Sequence, residues 1–320
     1  MKKDSRIYVA GHTGLVGSAL VRILSDHGYH NLILCSHAEL DLCDQQKTGA
    51  FFNREKPEYV FLAAAKVGGI MANNTYRAQF IYDNIATQTN VLHAAYLNGV
   101  KKLLFLGSSC IYPRNCAQPI KEEYLLTGSL EPTNEPYAIA KIAGLKMCEA
   151  YNHQYGTQFI AVMPTNLYGP NDHYDLEAAH VLPSLIRKFV EAKEQNLSNV
   201  TVWGTGNPRR EFLHVDDAAE ACLLLMNLDD NNYRVLGISH INIGAGEDMT
   251  IAELVALIRT IVGYQGDVIY DTTKPDGMFQ KLLDVSRLKS FGWHPKITFE
   301  QGLANTIEWY RDHAEAKKNR

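Results

Sequence analysis

The chain lacks a positive charge excess, paired cysteines and any long apolar run, and each absence removes a class of function. With a formal charge of −4 over 320 residues, a broadly basic nucleic-acid surface is excluded, although a local pocket for an anionic ligand is not. The six cysteines, at 35, 43, 110, 116, 148 and 222, never fall in a Cys-x-x-Cys pair. Neither a disulfide framework nor a zinc site is expected, and no metal is assigned. Residues 1–6 run straight into a short strand without the hydrophobic stretch of a signal peptide, and no later segment reaches membrane-spanning length. The expectation is a cytoplasmic protein with no nucleic-acid partner and no membrane partner. Internal repeats, low-complexity tracts and long linkers are absent as well.

What remains is enough to build a full core, since 46% of the residues are hydrophobic. Short β-rich runs at 6–10, 31–35, 59–62, 102–106 and 159–163 alternate with helical patterns near 15–26, 44–55, 75–98 and 137–155. That alternation, with apolar runs lacking period-two polarity, predicts a parallel sheet covered on both faces. The fold class is α/β, a Rossmann-type doubly wound parallel sheet with a smaller α/β substrate-binding lobe. The dinucleotide-binding part is expected over 1–165, with 213–244 returning to it through a strand at 240–243. The substrate lobe is expected within 166–320, mainly 166–212 and 245–320, with a helix at 180–195, strands at 200–203 and 209–212, and a helix at 215–228.

The first strand feeds Gly11-His12-Thr13-Gly14-Leu15-Val16-Gly17, followed by an amphipathic helix. Glycines there permit a tight turn and close backbone approach to a pyrophosphate, and the helix start offers unpaired N–H groups. A plain glycine-rich turn would carry the same letters, but the strand before and helix after favour the dinucleotide reading. Strand two ends in Leu34-Cys35-Ser36-His37 without an acidic residue to clasp two ribose hydroxyls, which leans toward a 2′-phosphate and NADP. No arginine follows it, and His37 is a weaker phosphate partner or simply an exposed loop residue. Asp41 serves either the adenine end or the next turn.

Tyr137 and Lys141 lie i, i+4 on one helix face, a phenol beside a cation able to favour its ionised form. Taken alone, the spacing fits a tyrosine packing along a lysine stem equally well. Strand four, however, ends at Leu106-Gly107-Ser108-Ser109-Cys110, which brings hydroxyls and a thiol to the sheet edge where ligands bind. The glycine loop with Ser108, Tyr137 and Lys141 resembles the catalytic set of the extended short-chain dehydrogenase/reductases. Further runs, Ala65-Lys66-Val67-Gly68-Gly69, Cys110-Ile111-Tyr112-Pro113, Pro164-Thr165-Asn166-Leu167-Tyr168-Gly169 and Arg210-Glu211-Phe212-Leu213-His214, are similar to the members that epimerise and reduce GDP-linked 4-keto sugars. This likeness spans nearly the whole chain.

The resemblance implies 3,5-epimerisation of GDP-4-keto-6-deoxy-D-mannose, then NADPH-dependent reduction at C4 to GDP-L-fucose. Cys110 and His180 stand where that group shuttles protons, and Ser108 and Tyr137 would stabilise the enolate. Lys141 would bind the nicotinamide ribose and lower the Tyr137 pKa. The resemblance also assigns Pro164, Asn166, Leu167 and His180 to the cofactor, and Lys188, Trp203, Arg210 and Asp276 to the GDP-sugar. Each has a plainer alternative: a buried thiol at Cys110, a helix cap at His180, surface cations at Lys188 and Arg210, a core aromatic at Trp203 and a turn former at Asp276. Departures are Thr13, where relatives often carry arginine, and Ala178-Ala179, where they commonly carry Asn-Ser. A homodimer through helices 75–98 and 137–155 is implied too. Competing functions are formation of GDP-L-colitose by C5 epimerisation and C4 reduction, and a non-catalytic NADP-sensing module. A sugar dehydratase would need an acid near Cys110, and none is there.

Overall fold

The computed structural model describes residues 1–176, 179–229, 240–274 and 276–317. Ala178, Pro275 and the middle of the expected 213–244 return therefore lie outside the described residues.

Five strands and their crossover helices form in chain order: β1 (Ile7–Ala10), α1 (Leu15–Asp26), β2 (Leu32–Ile33), α2 (Gln45–Glu55), β3 (Tyr59–Leu62), α3 (Ile70–Thr75), α4 (Arg77–Leu97), β4 (Lys102–Leu106), α5 (Glu135–Tyr155) and β5 (Phe159–Pro164). The strands pair in parallel in the order β2, β1, β3, β4, β5, and the strand His240–Ile243 adds to β5 with Ile241 opposite Val162. Strand order reverses direction at β1, so the carboxyl ends of β1 and β3 flank the crevice where doubly wound sheets hold ligands. Both sheet faces are dry. Phe51, Phe52, Leu92 and Leu145 cover one face from α2, α4 and α5, while Leu20, Leu24, Ala219 and Leu223 cover the other. That double coverage is why the strands read as continuous apolar runs.

Beyond β5, the chain builds a second core around Phe189, Leu254, Ile258 and Tyr310. Its elements are β6 (Asn166–Tyr168), α6 (Val181–Glu194), β7 (Asn199–Trp203), β8 (Arg209–Arg210), β9 (Phe212–His214), the helices Ile251–Val262 and Phe299–Lys317 and a small sheet centred on β8, while α7 (Val215–Asn227) packs back on the main sheet. In that sheet β8 lies between Met249–Thr250 and the strand Gln280–Lys281, with Lys281 opposite Arg210.

Three expected elements differ. Strand two shortens to two residues. The 75–98 helix forms as α4 but is preceded by an unexpected short helix, α3, from which the Tyr76 backbone (φ −104°, ψ 38°) separates it. The expected 209–212 strand splits at Glu211, because that side chain turns inward and accepts from the N–H groups of Gly246 at 2.7 Å and Leu283 at 3.0 Å. Among the described residues, no helix is long and apolar enough to cross a membrane.

Candidate active site

The glycine loop is shaped by contacts that leave no room for side chains. Gly11 has φ +83°, and a Cβ there would meet the Ala64 nitrogen at 2.7 Å, while one at Gly17 would meet the Gly11 carbonyl oxygen at 2.0 Å. Gly14 caps α1 without a side chain, so the helix start stays open toward the cleft. A pyrophosphate fits such a cradle. His12 Nδ1 is buried with no protein partner beside this loop, Thr13 is exposed, and Leu15 and Val16 pack against the sheet.

At the end of β2 the geometry is less committed. His37 exposes 85% of its side chain, 4.0 Å from Asp41. Asp41 Oδ1 accepts from Cys43 N at 2.9 Å and so finishes the next turn. Ser36 donates both its N–H and its hydroxyl to Glu39, at 2.8 and 2.6 Å, so neither donor is left over for a phosphate. Those bonds hold the Glu39 carboxyl below the usual carboxylate range.

The β4 end gathers the candidate catalytic groups. Gly107 packs flat against Met163, and Ser108 starts a short 3₁₀ turn, its Oγ accepting from Cys110 N at 3.2 Å. Helix α5 has Pro136 in its first turn and carries Tyr137 and Lys141 inward, exposed only 8% and 3%. Lys141 Nζ donates to the Leu106 carbonyl at 2.8 Å and sits 5.8 Å from the Tyr137 ring centre. Burial lowers Lys141 to about 7. Burial also raises the Tyr137 phenol above its ordinary range; the nearby Cys110 adds to this, and a hydrogen bond with Ser108 opposes it. Removal from water thus dominates both groups, raising the phenol and lowering the lysine. Phe80 packs edge-on to Tyr137 at 6.1 Å, and Cys110 joins that small apolar cluster.

Cys110 is half-buried, and its sulfur receives Asn134 Nδ2 at 3.4 Å and Lys281 Nζ at 3.7 Å. His180 precedes α6 but makes no capping bond, so its ring is not spent on the helix end. Surrounding protein, then the charges of Lys281 and His173, lower His180 below the ordinary imidazole range, an effect that solvent moderates because the residue is exposed. Pro164 ends β5, Leu167 packs under the sheet, and Asn166 Nδ2 donates to the Glu211 carbonyl at 2.8 Å.

Farther out, Lys188 donates to the Thr201 carbonyl at 3.1 Å and lies 5.4 Å from the Trp203 ring, which Lys274 approaches to 5.5 Å. Trp203 is half-exposed rather than a core aromatic. Arg210 donates to its neighbour's carbonyl at 2.8 Å; burial lowers its pKa and Asp276 counters this. Asp276 accepts from Thr205 N and Oγ1 at 2.7 and 2.8 Å, fastening two loops. Sequence reading missed Asn134, Lys274, Lys281 and Glu39. Asn134 lies three residues before Tyr137 and Lys274 two before Asp276, so both could have been weighed there, whereas Lys281 has no local signal.

Residues 7–244 match the NAD dependent epimerase/dehydratase family. The chain is 58% identical to GDP-L-fucose synthase 1 of Arabidopsis thaliana over 308 residues, covering 96% of this chain and 94% of that one. It is 54% identical to GDP-L-fucose synthase of Escherichia coli strain K12 over 310 residues, 95% and 96% of the two chains. A GDP-L-fucose synthetase from Naegleria fowleri, solved with NADP bound, superposes with a TM-score of 0.89 at 29% identity over 98% of this chain and 96% of that one. The chain belongs to the NAD-dependent epimerase/dehydratase family, in its GDP-L-fucose synthase branch.

Proposed function

We propose that this chain epimerises GDP-4-keto-6-deoxy-D-mannose at C3 and C5 and then reduces C4 with NADPH, yielding GDP-L-fucose. The observation that carries this reading is the gathering of Ser108, Cys110 and Tyr137 near the end of β4, with Lys281 reaching the Cys110 sulfur, in a chain 54% identical to a GDP-L-fucose synthase over nearly its full length.

The sugar ketone lies against Ser108 and Tyr137, whose hydroxyls bond its oxygen and make the carbons on either side acidic. Cys110 as thiolate removes a proton and His180 returns one on the opposite face. Tyr137, held protonated by burial, donates to the C4 oxygen during reduction. Bound NADPH supplies the hydride to C4. Gly11, Gly14 and Gly17 would cradle its pyrophosphate, Lys141 would hold the nicotinamide ribose, and Thr13 with His37 would meet the 2′-phosphate without an arginine. Arg210 and Lys188 bind the GDP diphosphate, with the Trp203 ring beside them. The division into a cofactor lobe and a substrate lobe is part of the same reading.

A homodimer forms by pairing α4 and α5, supported by Tyr82 and Ile139 standing exposed on their outer faces. The six free thiols suit a reducing cytoplasm. Incubation with the keto sugar and NADPH, with the product identified by chromatography against standards, tests the assignment. GDP-L-fucose is expected; turnover of only the 3-deoxy precursor would assign the colitose reaction instead.

A further inference from the structure

We propose that Lys281 is the counter-ion of the Cys110 thiolate, a positioning residue that, with Asn134, keeps this sulfur charged and aimed into the cleft. Three segments distant in sequence converge on one sulfur. Cys110 lies just past β4, Asn134 precedes α5, and Lys281 comes from the second lobe, 171 residues away from the sulfur it meets. The approaches of 3.4 and 3.7 Å both bring donors, and neither an ammonium nor an amide NH₂ can accept from a thiol. A protonated sulfur accepts only weakly, so two donors on one sulfur favour the thiolate over the thiol.

Lys281 has no competing partner that would explain its place. Among the described residues, no carboxylate lies within ion-pair distance of its ammonium, although the side chain is half-buried. An unpaired cation in that setting is costly, and a thiolate 3.7 Å away offsets the cost. The strand carrying Lys281 is fixed in place, Lys281 standing opposite Arg210 and Leu283 N donating to the buried Glu211. The Asn134 Oδ1 is buried without a protein partner, so the amide is oriented by the sulfur it donates to. The same ammonium opposes charge on His180.

The catalytic meaning of this pair rests on the epimerase-reductase reading, but the contact itself needs no ligand. The test uses substrate-free protein at neutral pH and measures alkylation of Cys110 by uncharged iodoacetamide, read by peptide mass spectrometry with Cys35 as internal reference. Lys281→Met should slow Cys110 labelling on the order of tenfold, and Lys281→Arg should restore most of the rate. Lys281→Gln, a second neutral variant of different shape, should match Lys281→Met if both leave Cys35 labelling unchanged. Labelling within about twofold of the parent in both neutral variants would overturn the pairing, as it would if Lys281 served only the substrate. Solvent-deuterium exchange into the keto sugar separates the two claims. If labelling depends on Lys281 while Cys110→Ser keeps full exchange, the ion pair stands and Cys110 is not the base. If labelling is indifferent to Lys281 while Cys110→Ser loses exchange, the base stands and the pair falls.

Discussion

Lys141 Nζ donates to the Leu106 carbonyl, 2.8 Å away, and not to Tyr137, whose ring centre is 5.8 Å off. The lysine is tied to the end of β4, and burial holds the phenol protonated while Lys141 is lowered to about 7. Tyr137→Phe should therefore cost C4 reduction about 10²- to 10⁴-fold in kcat, the usual loss of a positioned proton donor. Lys141→Met should lose reduction too, yet melt no lower than the parent, because it removes a buried cation. Steady-state kinetics and thermal melts check both.

The glycine loop gives a second prediction. A Cβ at Gly17 would stand 2.0 Å from the Gly11 carbonyl oxygen, a backbone atom that cannot swing aside. Gly17→Ala should weaken NADPH binding at least tenfold, read by nucleotide fluorescence, and lower stability by roughly 1–3 kcal/mol.

How much of this was legible in the sequence follows from how local each signal is. The glycine loop and the Tyr137 helix are single segments whose strand, turn and helix periods lie within thirty or so residues, and both formed where expected. Helix α5 carries Pro136 in its first turn and stops before Gly156, whose φ of +68° closes it, as the chemistry of those residues dictates. Glu211 and Lys281 were not legible, because their partners come from other parts of the chain through sheet pairing in the second lobe. The burial of Tyr137 and Lys141 was not legible either, because sequence gives charge and spacing but not burial.

Arg210 carries the third prediction. Its fork lies beside the diphosphate position proposed here, with Asp276 nearby and held by Thr205. Arg210→Lys keeps the charge but loses paired donation, and should raise KM for the GDP-sugar by about 10- to 100-fold with a smaller change in kcat.

Glu211 predicts a pH effect on stability. Burial raises its carboxyl to about 7, against 4.5 for the unfolded chain, although Gly246 and Leu283 donate to it. The folded state binds the extra proton between those values, so this group's contribution is present below pH 4.5 and is lost as pH rises toward 7. His240, lowered to about 4 by burial, runs the other way, its contribution present above 6.5 and lost as pH falls. The difference between the parent and Glu211→Gln isolates the first group. Urea melts should show the parent losing about 2–4 kcal/mol more than the variant between pH 5 and 7.5. Equal pH slopes for the two proteins would contradict this.

Solvent-deuterium incorporation into GDP-4-keto-6-deoxy-D-mannose, measured by mass spectrometry without NADPH, tests the proposed chemistry most directly. The parent should incorporate deuterium beside the ketone, and Cys110→Ser and His180→Gln should each lose most of it while still binding the nucleotide sugar. Incorporation persisting at the parent's rate in both variants would contradict the assignment of Cys110 and His180 as the proton carriers.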